Sequence, residues 1–457
     1  MYFLYALIAA ALFQESALGA IGASGPTLFF LRASVDILFV VVFIYALLRS
    51  VTEKSVWRLS GTGYEKVFFL FFIYSIFISA VAVKSNLGVN AAEILVLNRF
   101  VFLALIIPMI VNSERRIARL QNFIWIMILI QALIGLAQQI GGQAVLSMFT
   151  PSDYSNVLSG SDRSFTSGRG YERKMLIGTV GDFISFGYVL AFGVLMQLSK
   201  KRLSTKVVLS VLALLLMIFL TGSRTIFLCV TLTLIGYTFF SLSQKGRLIF
   251  SVGALISLSP LLLVLYKIAS QTDYTGTSFL ALFRPEFIEV LMTQRLGHAL
   301  LYFPEFLFDP NVIFGLSPDK YFAANYASTT YGDVLPYVFL ATFAETLEDF
   351  YPVALVTYYG IVGSGLFYLF HYKIFSAAWQ DRDSEDQTLS IASRQVLFGL
   401  ALAHFFSLGN QSFENRSWAL LLWISVGVYV SARRISEKTS HEKFSIQNDS
   451  SASLRTL

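Results

Sequence analysis

The chain has 457 residues, 56% of them hydrophobic and 14% charged, with a formal net charge of +6 and a mean hydropathy of +0.66. A soluble globular domain needs far less apolar side chain to fill its core, and one cysteine cannot close a disulfide scaffold, so both of those classes are excluded. The expected fold class is all-α: a polytopic integral membrane protein whose residues 1–435 form a single transmembrane domain of about twelve helices.

Apolar stretches of roughly 17 to 23 residues can each cross the ~30 Å hydrocarbon layer as helices. The first two lie near 2–20 and 28–48. The first has neither a basic start nor a cleavage site and reads as retained. In the second, Arg32 and Asp36 stand one helical turn apart on one face. Spans follow near 67–83, 93–111 and 121–141, with Glu93 and Arg99 in the opening turns of the middle one. A Gly- and Ser-rich segment, 142–175, carries Arg163, Arg169, Arg173 and Lys174 against Asp153, Asp162 and Glu172.

The sixth span, 176–198, holds Asp182 about two turns inside it. Spans 207–221 and 225–242 are joined by the hairpin Thr221-Gly222-Ser223-Arg224, where Ser223 can cap the next helix and its dipole favours a phosphate. After a span near 248–268 comes the longest connection, 269–350, too long to be a mere linker. Within it Glu286–Phe303 reads as a helix on the membrane surface, and Leu335–Ala344 as a short re-entrant segment. The last spans are 351–373, 395–410 and 416–432, followed by a polar tail, 436–457, expected to be disordered.

Lys and Arg are retained on the cytoplasmic side, and here they concentrate in alternate connections: Arg49 to Lys66, Arg115 to Arg119, Lys200 to Lys206, Lys245 and Arg247, Lys373 to Arg394, and the tail from Arg433. Both termini are therefore expected in the cytoplasm and the two long connections outside. This bias accounts for the positive net charge without a nucleic-acid partner. Charges buried in a membrane are costly and tend to mark function. Arg32, Asp36, Glu93, Arg99, Asp182 and Arg224 all fall toward the external side on this topology. Asp381-Arg382-Asp383 is like the metal-binding motif of nucleotide-sugar transferases, but it lies in a short cytoplasmic connection and reads as a solvated charge run.

Four strings resemble the bacterial O-antigen polymerase and O-antigen ligase family, membrane glycosyltransferases of the C type. They are Arg32 to Asp36; Arg173 to Asp182, with its Ile-Gly-Thr-Val-Gly-Asp end; the Ser223-Arg224 hairpin; and Arg295 through Phe314-Gly315-Leu316, followed by Tyr351 to Gly363 with its Tyr-Gly-Ile-Val-Gly centre. The resemblance covers roughly residues 25 to 375. It implies transfer of an oligosaccharide from undecaprenyl diphosphate to a hydroxyl of an acceptor glycan, inverting and metal-independent, with no cofactor. Expected partners are that lipid-linked oligosaccharide, membrane lipid and, as a candidate, a chain-length regulator.

A diphosphate leaves without protonation if fixed cations hold its charge. The first choices for this are Arg173, Arg224 and Arg295, with Arg32, Arg99 and Lys174 beside them. For the acceptor's proton, the candidates are Asp349, Glu348 and Glu345, where the long connection re-enters the membrane, with His298 as the rival base. Tyr302, Tyr321, Tyr326, Tyr331 and Tyr337 could stack on sugars or anchor the interface. The ligase branch carries a His near the end of the long connection, where this chain has Glu-Thr-Leu-Glu-Asp-Phe-Tyr. That departure favours a repeat-unit polymerase over a ligase acting on lipid A core. A flippase or other transporter of lipid-linked oligosaccharide is the alternative of another class.

Overall fold

A computed structural model describes residues 1–20, 33–52, 63–81, 86–147, 176–180, 182–200, 204–241, 297–409 and 412–453. Among them every regular element is helical. The helices are α1 (Tyr2–Ala20), α2 (Ser34–Thr52), α3 (Tyr64–Val81), α4 (Leu87–Asn98), α5 (Val101–Ile110), α6 (Glu114–Ser147), α7 (Phe183–Leu198), α8 (Thr205–Thr221) and α9 (Arg224–Ser241), then α10 (Lys320–Tyr331), α11 (Tyr337–Thr346), α12 (Tyr351–Asp381), α13 (Gln387–Ser407) and α14 (Arg416–Ser453). Short turns at His298–Tyr302, Phe303–Phe306, Pro310–Val312 and Leu347–Phe350 are the other elements in the described part of the long connection.

Among the described residues most helices stand where hydropathy locates them. Among the described residues six are long and apolar enough to cross a membrane, or up to seven if the bent pair α4 and α5 is one span, where twelve spans are expected of the whole chain. The expected span at 248–268 lies outside the described residues. The span expected at 93–111 is split by a 48° bend. There the Asn98 side chain donates to the Ile94 carbonyl (2.9 Å), competing with the helical ladder, and Arg99 turns out to meet Asp36 at 3.0 Å. Asp36 therefore pairs with Arg99; its expected neighbour, Arg32, lies outside the described residues.

Asp182 is not two turns inside a helix but caps one, its carboxylate accepting the Ser185 N–H at 2.7 Å. The reason is the non-helical stretch 176–180, which is held by two glutamines of α6. Gln138 accepts the N–H groups of Ile177 (3.3 Å) and Gly178 (3.0 Å) and donates to the Gly178 carbonyl (2.7 Å). Gln131 accepts the Thr179 N–H (2.9 Å) and donates to the Leu12 carbonyl (2.8 Å) and to the Thr179 hydroxyl. Gln131 and Gln138 are two helical turns apart and so share a face, and Gly178 supplies the left-handed backbone (φ +54°) that the bend between them requires.

Backbone groups out of reach of water must be satisfied internally. Gln138→Leu strands three of them, at roughly 1–3 kcal/mol each. Detergent-purified Q138L should melt several degrees below the wild type; an unchanged midpoint would disprove the clamp.

The tail is expected to be disordered, whereas α14 continues through it to Ser453; residues 454–457 lie outside the described residues. An Arg433 to Glu437 pair at 3.1 Å links successive turns where it leaves the bundle. At that end Arg49 and Arg116 both donate to the Ile110 carbonyl (3.1 and 3.0 Å), and Arg433 faces Asp381 at 3.7 Å. Asp383 pairs with Arg394 at 3.1 Å, so the Asp-Arg-Asp run ties α12 to α13 rather than simply facing solvent. Arg49 and Arg116 thus share one carbonyl, while Arg394 and Arg433 hold the two acidic residues of the Asp-Arg-Asp run. The core between the ends is aromatic: Tyr188 of α7, Phe406 of α13 and Trp418 of α14 meet with ring centroids 4.8 to 5.7 Å apart.

Candidate functional site: a carboxylate cluster at a reversed helix

The long connection and the helix after it are built around a reversal of α12 at Gly360, whose backbone (φ +66°, ψ −176°) is open to glycine alone. Along a straight helix Tyr351 and Phe367 would be about 24 Å apart, yet their rings lie 6.4 Å apart, both against Phe413. The chain therefore rises to Gly360 and turns back. Segment 313–316 covers the polar backbone this exposes: Leu316 N–H donates to the Thr357 carbonyl (2.8 Å) and Val362 N–H to the Ile313 carbonyl (3.1 Å). The Tyr74 hydroxyl of α3 lies within bonding reach of the Phe314 (2.8 Å) and Tyr359 (3.1 Å) carbonyls. Phe314-Gly315-Leu316 and Tyr-Gly-Ile-Val-Gly, far apart in sequence, thus form one backbone crossing.

Beneath that crossing, carboxylate oxygens of Glu93, Glu348 and Glu414 all lie within 4.8 Å of one another. They come from three elements: Glu93 from α4, Glu348 from the 3-10 turn before α12, and Glu414 from the connection between α13 and α14. Tyr351 donates to Glu414 at 3.0 Å and Tyr358 to Glu348 at 3.4 Å. Lys320, the first residue of α10, approaches Glu348 to 3.8 Å.

Asp319 caps α10 through the N–H groups of Tyr321 and Phe322, while its own N–H is accepted by Asn90. Lys320 is thereby anchored over α4, one turn from Glu93. Burial works against its charge, but Glu348 and Glu93 outweigh that and raise its pKa. Removal from solvent, reinforced by Glu348 and Glu93, pushes the Glu414 carboxyl up to about 8, against the opposing effects of Tyr351 and Lys320. Three carboxylates so close cannot all ionise beside one ammonium, and the cluster holds a proton near neutrality. It can both take and give a proton. Its spacing would admit a metal ion, though the Lys320 ammonium already supplies positive charge there.

Among the described side chains, Glu348 is the expected proton acceptor that joins this cluster. Asp349, on the same 3-10 turn, is half-buried and outside it. The Glu345 side chain is outside the described set. His298 is fully buried, its Nε2 2.8 Å from the Thr346 hydroxyl and its ring between Phe339 and Phe343. Desolvation depresses its pKa to about 4, so near neutral pH its imidazole is uncharged.

Among the expected cations, Arg99 is paired with Asp36. Arg32, Arg173, Lys174 and Arg295 lie outside the described residues. So does the side chain of Arg224, although its hairpin forms as expected, with Gly222 left-handed (φ +79°) at the end of α8. Tyr326 and Tyr331 are engaged by Asp309 and Tyr302 is buried, while Tyr321 and Tyr337 stay exposed.

Sequence reasoning missed Glu414 and Lys320 and treated Glu93 only as an embedded charge. The one legible signal was Glu414 itself, the sole acidic residue in the short connection between the last two spans. Neither a family model nor a curated protein matches this chain.

Proposed function

We propose that the chain is a repeat-unit polymerase of the bacterial cytoplasmic membrane, acting on its external face in polysaccharide synthesis. The donor is an oligosaccharide on undecaprenyl diphosphate and the acceptor is the end of another lipid-linked glycan. The acceptor hydroxyl attacks the anomeric carbon, the bond to the diphosphate oxygen breaks with inversion, and the proton passes to a carboxylate. Arg173, Arg224 and Arg295, assisted by Lys174, Arg32 and Arg99, hold the departing charge. The observation that carries this reading is the Glu93, Glu348 and Glu414 cluster at the end of the long connection, where a base of near-neutral pKa is needed. Support also comes from the two parts of the fourth string of the family resemblance, which meet at Gly315 and Gly360.

A second reading, a proton-coupled transporter of a charged or lipid-linked substrate, is favoured by the broken α12 beside proton-holding carboxylates. Purified protein offered lipid-linked repeat units alone separates the two. Extended glycan ladders formed without ATP, nucleotide sugar or an ion gradient are expected of the polymerase. Substrate movement across proteoliposomes, with no ladder, would refute it. Offering lipid A core as a competing acceptor distinguishes the ligase.

A further inference from the structure

The turn that covers the reversal of α12 has an outward face unlike that of a water-exposed connection. Phe308 is 90% exposed, and Leu307, Ile313 and Phe314 are 45 to 55% exposed. From Phe306 to Pro318 the only charged residue is Asp309. That carboxylate needs no water, because it accepts hydrogen bonds from Tyr326 (2.6 Å), Tyr331 (2.7 Å) and both the backbone N–H and the side-chain amide of Asn311 (2.7 and 2.9 Å). A turn whose one charge is enclosed while its phenyl rings point outward is built for an apolar surrounding.

Its position supplies the occupant. The Phe314 carbonyl is bonded by Tyr74 of α3, next to Ile73, which is 61% exposed on the outward apolar face of that candidate span. On the other side Ile313 is bonded to Val362, next to the exposed Ile361 of α12. The apolar turn is therefore continuous with the faces that α3 and α12 turn to lipid. We infer that Leu307, Phe308, Ile313 and Phe314 form a ridge embedded in the acyl-chain region of the bilayer, so that this part of the long connection is a membrane anchor rather than an aqueous loop. Immersed aromatic and aliphatic side chains would hold the Gly315 crossing, and with it the carboxylate cluster, at a fixed depth.

The inference is independent of the chemistry proposed above and is tested without substrate. Full-length protein with Cys229→Ser and Phe308→Cys or Phe314→Cys is spin-labelled, reconstituted in phosphatidylcholine vesicles and power-saturated with oxygen and with a water-soluble nickel chelate. Both labels should be relaxed several-fold more by oxygen than by nickel, with the reverse at the exposed polar controls Asn325→Cys and Asp333→Cys. Nickel relaxation at 308 and 314 equal to that of the controls would overturn the inference. So would spin–spin broadening at 308, which would mean that a second copy of the chain covers the ridge. If a label disturbs folding, a benzophenone amino acid at Phe308 gives the same decision: adducts to lipid support the ridge, and adducts to protein or none refute it.

Discussion

Glu414→Gln is expected to cut glycan extension by about 10²- to 10⁴-fold, the range over which a positioned base acts, while leaving the protein folded. Glutamine keeps the acceptor for the Tyr351 hydroxyl but cannot take a proton. Wild-type activity should rise as pH climbs toward and through about 8, where Glu414 loses its proton, and E414Q should lack that limb.

Stability moves the other way. An unfolded glutamate releases its proton near 4.5, whereas in the folded protein Glu414 keeps it up to about 8. The stability associated with that proton is thus complete in acid and is lost as pH rises across this interval. Glutamine mimics the neutral form, so E414Q should melt above the wild type at pH 9 and close to it at acid pH. Full activity in E414Q, or a melting difference that does not change with pH, would show that the cluster has been misread. Glu348→Gln should lose activity on the same scale.

The second large effect is structural. A Cβ at Gly315 would come within 2.4 Å of the Gly360 nitrogen and the Tyr358 carbonyl oxygen, and one at Gly360 within 2.3 Å of the Ile313 carbonyl oxygen. These neighbours are backbone atoms that other bonds hold in place, and both glycines have positive φ (+87° and +66°). Gly360→Val or Gly315→Val should cost more than about 4 kcal/mol, the range reserved for strain at a special backbone position combined with overpacking. The expected readout is loss of monodisperse protein after detergent extraction. Gly365→Ala is the control, because a Cβ there meets nothing within 4 Å. If G360V purified with wild-type yield and melting, the reversal of α12 could not be as described.

How much of this was legible depends on distance along the chain. The Gly222 hairpin and the helix caps at Asn86, Ser204 and Asp386 are local, and each can be read from a few adjacent residues. Asp182 was misread because the helix before it is undone by Gln131 and Gln138, more than forty residues away. His298 looked like a candidate base because its sequence neighbours do not reveal Phe339 and Phe343 closing over it.

The sequence by itself determined that the protein is a helical membrane protein and where most of its described helices lie. Insertion of an apolar stretch of about 20 residues is a local free energy, summed over consecutive side chains. Only the tertiary structure decided that α4 and α5 are two helices, that α12 reverses at Gly360, and that Glu93, Glu348 and Glu414 share one space. Each of those outcomes depends on a backbone group or carboxylate finding a partner on a distant element in a low-dielectric interior, and no window of consecutive residues contains that energy.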